Sequence, residues 1–255
     1  MHDVNAPKDS KLTLDAGGQQ LSVDLYSKEG FDLLNSLLLK VGAEQKVMYE
    51  PTWLGRPIIQ FANDVVVTQE LLWKVKPDLV IETGVAHGGS LILSASIQQL
   101  LGEGRVIGVD IEVRPHNRKA IEEHPLAHRV ELIEGSSIAP ETVAAVKARV
   151  QGAKRIMVIL DSNHSAEHVR TEMNLYAELV SPGSYMIVQD GAQAWVSDIP
   201  RGKAEWKNDH PLIAIDGFLA ENADFEIDES CTRLGVTSSP RGYLRKTSSE
   251  RLTPP

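Results

Sequence analysis

The 255-residue chain has a single cysteine, Cys231, so no disulfide can form within it. That usage suits a reducing compartment. No apolar run approaches the ~18–20 residues needed to cross a bilayer. Met1–Gln20 also lacks the apolar stretch of a secretory leader. A cytoplasmic location with no membrane partner is therefore expected. There is no run of Lys or Arg either. With 35 acidic against 26 basic residues the formal charge is −9, which disfavours a nucleic-acid partner. Repeats and low-complexity linkers are absent, so one main core fits the length. Apolar and charged contents of 42% and 24% are ordinary for a folded enzyme.

What is present falls into four segments. Residues 1–30 are polar and Gly/Asp/Lys-rich and are expected to form a partly flexible tail. Residues 31–77 hold a helix over Phe31–Lys40, an aromatic and Pro/Gly-dense loop over Tyr49–Pro57, and a helix over Asp64–Val75. From Asp78 short apolar runs alternate with helical stretches. Strands are expected at Asp78–Glu82, Arg105–Asp110, Val130–Glu134, Arg155–Asp161 and Ser184–Asp190. Helices are expected between them at Leu91–Leu101, Arg118–Glu123, Pro140–Val150 and Ala166–Leu179. Continuously apolar strands are those buried on both faces, so the alternation implies a doubly wound, mostly parallel sheet. Phe225–Asp228, Arg233–Thr237 and Gly242–Arg245 should close its edge, and 247–255 forms a C-terminal tail.

The first βα turn, Glu82-Thr83-Gly84-Val85-Ala86-His87-Gly88-Gly89-Ser90, is built for a ligand. Glycines permit tight turning and close approach, and the helix N-terminus adds positive potential. A phosphate loop needs Lys before the final hydroxyl residue, where Gly89 stands. A dinucleotide fingerprint begins Gly-x-Gly, whereas Gly84 is followed by Val85-Ala86. S-adenosylmethionine, which has no pyrophosphate, meets neither objection. Glu82 can face its positively charged methionine half. Asp110, closing the next strand, can accept from the ribose hydroxyls, and Ser136-Ser137 after the third strand can neighbour the adenine. Thr83, Gly84, Gly88, Ser90 and Asp161 complete the expected cofactor contacts.

A second constellation lies at Asp161-Ser162-Asn163-His164 and Gln189-Asp190, which end the fourth and fifth strands. Neighbouring strands lie ~4.8 Å apart, and ligands in such sheets bind beyond the carboxyl ends. Asp161 and Asp190 can therefore share Mg²⁺ or Mn²⁺, both of which favour oxygen ligands. His164 is placed to act as a general base. The residues alone leave alternatives open: Asp161 as the cap of a helix starting near Ser165, and His164 as a packing residue.

Together these residues resemble the cephalosporin hydroxylase-like family, which includes rhamnosyl and macrolide-sugar O-methyltransferases. The resemblance runs from Trp53 to Lys246. It is carried by Trp53-Leu54-Gly55 with Pro57, Ile81–Ser90, Gly108–Ile111 with Arg114–Arg118, and Glu134–Ser137. Leu160–Ser165 with His168-Val169, and Phe218-Leu219 through Asp228-Glu229, add to it. It implies a Rossmann-like class I methyltransferase domain over 78–246, with a seven-stranded, mostly parallel sheet and helices on both faces. It also implies S-adenosylmethionine and Mg²⁺, with Asp161 as a metal ligand and His164 as the base. In that family two further metal ligands form a Glu-Asp pair, which here reads Gln189-Asp190. Loss of one charge should weaken a hard-cation site. Asn163 likewise stands where an acidic residue is commoner.

Iron oxygenase chemistry is not expected, because none of the eight histidines is followed two residues later by Asp or Glu. The expected reaction is methylation of a hydroxyl on a small sugar or natural product, in secondary metabolism such as antibiotic biosynthesis. The competing reading is a non-catalytic cofactor-binding subunit whose metal site has decayed. Tyr49, Trp53 and Arg56 are expected on one wall of the acceptor pocket and the 193–206 loop on the other. The alternative for Trp53 is a place in the core. Residues 31–77, with Leu33, Leu34 and Leu37, should serve as substrate cover or as the contact of a homo-oligomer.

Overall fold

The structure, a computed structural model, describes residues 5–247. The expected tail at 247–255 thus lies outside the described residues apart from Thr247. At the other end, part of the expected frayed tail is ordered. Strands β1 (Lys11–Ala16) and β2 (Gln19–Asp24) form an antiparallel hairpin. Gly17 and Gly18 both take positive φ at its turn, which matches the right-handed twist of the strands. Helix α1 (Lys28–Glu44) follows, its first turn capped by Ser27 Oγ accepting from the Gly30 amide at 3.0 Å. Strands β3 (Thr52–Trp53) and β4 (Arg56–Pro57) make a small finger, and α2 (Ala62–Val75) stops just before Pro77.

The alternating region runs β5 (Leu79–Thr83), α3 (Gly89–Leu101), β6 (Arg105–Asp110), α4 (Pro115–Glu122) and β7 (Val130–Glu134). It continues with α5 (Pro140–Arg149), β8 (Ile156–Leu160), α6 (Ala166–Tyr176) and β9 (Tyr185–Val188). It closes with α7 (Pro211–Glu221), β10 (Phe225–Ile227) and β11 (Tyr243–Lys246). Seven of these strands form one sheet in the order β10-β11-β9-β8-β5-β6-β7. Only β11 runs against its neighbours.

Alternation along each strand divides the core between the two faces. Leu79, Ile81, Ile107, Val158 and Met186 pack with Val146 of α5, Met173 of α6 and Phe218 of α7. Val80, Val106, Met157, Ile159 and Ile187 pack with Leu72 of α2, Leu91 of α3 and Ile121 of α4. Each such fully buried side chain contributes ~1.5–3 kcal/mol. Helix α2 therefore belongs to the sheet's own core, although it precedes the first sheet strand.

The expected strand at Arg233–Thr237 does not form. That segment follows a 3₁₀ turn, Glu229–Thr232, and Gly235 takes φ +94°. Asn63 donates to the Leu234 and Val236 carbonyls at 2.9 and 3.1 Å, satisfying through a side chain what a ladder would have satisfied. Among the described residues no helix is long and apolar enough to cross a membrane.

Candidate active site

The strand order reverses between β5 and β8, so the loops after these two strands open a crevice at the carboxyl edge. They touch there. A Cβ on Gly84, at φ +89°, would lie 2.0 Å from the Asp161 carbonyl oxygen, so only glycine fits. Next to this contact is a cavity of about 390 Å³ whose lining includes Gly84, Asp110, Ile111, Ser136, Ser137 and Asp161. Five of the nine expected cofactor residues therefore converge on one space. The other four, Glu82, Thr83, Gly88 and Ser90, are not part of its lining. Glu82 is wholly buried and accepts a hydrogen bond from Ser90 Oγ. Gly88 takes φ +79° at the start of α3.

Asp110 also organises the loop itself. Its Oδ2 accepts from the Val85 and Ala86 amides at 2.8 and 3.2 Å, and its Oδ1 from the Glu112 amide at 3.1 Å. Beside the cavity lies a polar network that sequence reading missed. His168 Nε2 is 3.1 Å from Ser137 Oγ and 3.2 Å from Ser162 Oγ, and Ser162 donates to buried Glu172 at 2.7 Å. The i,i+4 spacing of His168 and Glu172 on α6 is the one signal that pairs them in advance.

The second constellation assembles at the same edge. One ligand-type atom each from Asp161, His164 and Asp190 lies within 4.8 Å of the others. His164 Nε2 is 3.2 Å from Asp190 Oδ2. Asp190 takes a left-handed conformation, φ 58°, at the turn leaving β9. Burial pushes the Asp161 carboxyl well above the usual range, and the charges of Asp190, Glu82, Glu172 and Asp64 push it the same way. Carboxyl groups thus crowd this edge, and among the described residues no Lys or Arg pairs with Asp161 or Asp190, a crowding that a bound cation would relieve. Asp161 does not cap α6: Asp209 Oδ1 takes the Ala166 amide at 2.6 Å instead. Gln189 is buried, with its Oε1 accepting from Ser239 Oγ and its Nε2 unpartnered. Gln189 is not among the residues lining either of the two cavities at this edge.

His164 and Asp190 also line a second cavity, of about 400 Å³. Tyr49 and residues of the 193–206 loop stand on its walls. Trp53 and Arg56 do not. Trp53 Nε1 donates to Ser96 Oγ at 3.0 Å and its ring packs on the core. Arg56 donates through Nε and Nη2 to the His87 carbonyl, at 2.9 and 2.6 Å. Both residues brace the glycine loop and α3 rather than a ligand, which corrects their expected role. A larger cavity of about 610 Å³, between α1 and the 229–241 segment, contains none of the expected site residues. Cys231 is buried, and burial pushes its thiol up to about 12, so it is no nucleophile at neutral pH.

The strand order and the switch-point crevice are those of the Rossmann-like class I methyltransferase fold. Residues 45–247 match the family described as Rhamnosyl O-methyltransferase/CmcI, and the chain belongs to that family. It is 32% identical over 216 residues to the rhamnosyl O-methyltransferase of Mycobacterium tuberculosis, covering 78% of this chain and 79% of that one. Its identity to the enzyme of the same name from Mycobacterium leprae is 31% over 199 residues, covering 76% and 82%. Among solved structures the fold is similar to one described as "cmcI-D160 Mg-SAM". There the TM-score is 0.54 at 18% identity, covering 78% of each chain.

Proposed function

We propose that the chain methylates a hydroxyl of a sugar or hydroxylated natural product of secondary metabolism, assisted by Mg²⁺ or Mn²⁺. The observation that carries this is the position of the Asp161, His164 and Asp190 cluster. Asp161 lines the first cavity, His164 and Asp190 line the second, and all three meet where the two adjoin. S-adenosylmethionine in the first cavity, against Asp110 and Ser137, then faces an acceptor in the second.

Asp161 and Asp190 would hold the cation, with Gln189 as a neutral third ligand. The donor set fits, since hard cations favour carboxylate oxygens and the site lacks compensating positive charge. Held there, the cation would supply electrostatic stabilisation of the reacting oxygen, and S-adenosylmethionine would supply the methyl group, its sulfur keeping the electron pair of the C–S bond. His164 Nε2 would take the hydroxyl proton as the acceptor oxygen forms the new C–O bond. The mycobacterial relatives are named for a rhamnosyl acceptor, which supports a sugar here. A homo-oligomeric state is part of the same reading, supported by the exposed apolar residues Phe31, Leu38 and Val41 on α1.

Release of S-adenosylhomocysteine from a panel of sugar, polyketide and catechol diols tests the assignment. Oxygen acceptors should turn over, and His164→Ala should slow them ~10²–10⁴-fold with cofactor affinity retained. Methylation confined to nitrogen or carbon acceptors would contradict it.

A further inference from the structure

The lining of the second cavity combines three kinds of surface. His164 and Asp190 stand on it. Buried Leu39, Phe61 and Val196 add an apolar wall. Lys46, Arg201 and Lys203 line it as exposed residues. Its lining thus holds three cations and one carboxylate, in a chain whose formal charge is −9. From this we infer that the acceptor carries an anionic group, a carboxylate, sulfate or phosphate, in addition to the hydroxyl that is methylated. The inference rests on the O-methyltransferase reading above.

Three observations support it. Among the described residues, no carboxylate lies within ion-pair distance of Lys46 or Arg201. Lys203 has only Glu205, at 3.9 Å with both side chains exposed, a pair worth little in water. These cations are therefore available to a ligand. Lys203 Nζ sits 5.6 Å from the centre of the Trp206 ring, which holds the charge against an aromatic wall of the cavity. The segment bearing Arg201 is itself fixed to α1, since the Arg201 amide donates to Glu44 Oε2 at 3.0 Å. Arg201 then offers a guanidinium fork matched to a planar or tetrahedral oxyanion.

An acceptor anion held by these cations would fix how the acceptor lies in the cavity. Exposed cations that only aid solubility would not discriminate between an acid and its neutral counterpart.

Matched probes decide between these cases: 3,4-dihydroxybenzoate against its methyl ester, and methyl glucuronide against methyl glucoside. Two quantities are measured, kcat/KM by S-adenosylhomocysteine release and affinity for the S-adenosylhomocysteine-loaded protein by calorimetry. The acid of each pair should be favoured about tenfold in both, as for a hydrogen bond to a charged group. Arg201→Ala should reduce the acid-to-neutral ratio and Arg201→Glu should invert it. Raised salt should shrink the preference. Melting temperature and S-adenosylhomocysteine affinity show that the variants are folded. Equal affinity for acid and neutral probe in the wild type, or a ratio unmoved by Arg201→Glu, would overturn the inference. Preferential binding of the acids with turnover of neither member would sustain it and count against the methyltransferase reading instead.

Discussion

Glu82 shows what one residue at the crevice costs. It has no exposed surface, its Oε2 has no partner, and burial pushes its carboxyl up to about 8 despite the bond from Ser90. The folded protein therefore holds a proton on Glu82 that the unfolded chain would already have lost. The resulting stability is fully present below the ordinary value of 4.5 and disappears as pH rises through about 8. Denaturant unfolding of the ligand-free wild type and Glu82→Gln should accordingly show wild-type stability falling relative to the variant across that window. Parallel pH profiles would refute the assignment. The strand-end position of Glu82 is readable in the sequence, but its depth is not. Burial depends on Ser90 returning from α3 and on the coverage of β5 by both helical layers. Gln189 is similar: the sequence shows the lost charge, while its bond to Ser239 joins residues 50 positions apart.

Among the elements, the β3–β4 finger has a different part from the one its aromatic composition suggests. Arg56 fastens the finger to the His87 carbonyl and, at 3.2 Å, to Asn117 Oδ1 of α4. Asn117 in turn donates to the Ala86 carbonyl at 2.8 Å, so the finger, α4 and the glycine loop form one clamp. Arg56→Ala would leave buried Asn117 with fewer partners and should cost ~1–3 kcal/mol of stability. It should also weaken S-adenosylhomocysteine binding through a looser loop. Denaturation and calorimetry measure both, and unchanged values in each would dismiss the clamp. Sequence reading identifies this segment as an ordered loop but cannot tell a pocket wall from a brace, because the partners lie 31 and 61 residues away. The N-terminal hairpin falls in the segment expected to be a flexible tail, although its alternation is present in the sequence. Leu12, Leu14, Leu21 and Val23 alternate around Gly17-Gly18 and pair across the strands on one face. The polar composition of the flanking residues obscures that period of two.

At the scale of the molecule the parallel sheet was the most legible feature, since continuous apolar runs between helical stretches have few other solutions. What the chain does with its first 44 residues was less so. The hairpin's apolar face belongs to none of the three buried core clusters, and Phe31, Leu38 and Val41 on α1 are exposed. Leu33, Leu34 and Leu37 are half-buried. A lone two-stranded hairpin has marginal stability in water, so a second copy of the chain is the expected cover. Light scattering at working concentration should give a mass at least twice the 28.0 kDa of one chain. A monomeric mass would contradict the homo-oligomer.

The account depends most on the pair of carboxylates beside His164. Asp161 and Asp190 stand within reach of one cation, at the meeting point of two cavities, in a site crowded with carboxyl groups. The most direct measurement is methyl transfer to a diol acceptor after exhaustive chelation, followed by stepwise return of Mg²⁺. Turnover should vanish and then be restored, and Gln189→Glu should be restored at lower Mg²⁺ because it regains a charged ligand. Full turnover in the chelated enzyme, with cofactor and acceptor both bound, would remove the metal from the mechanism.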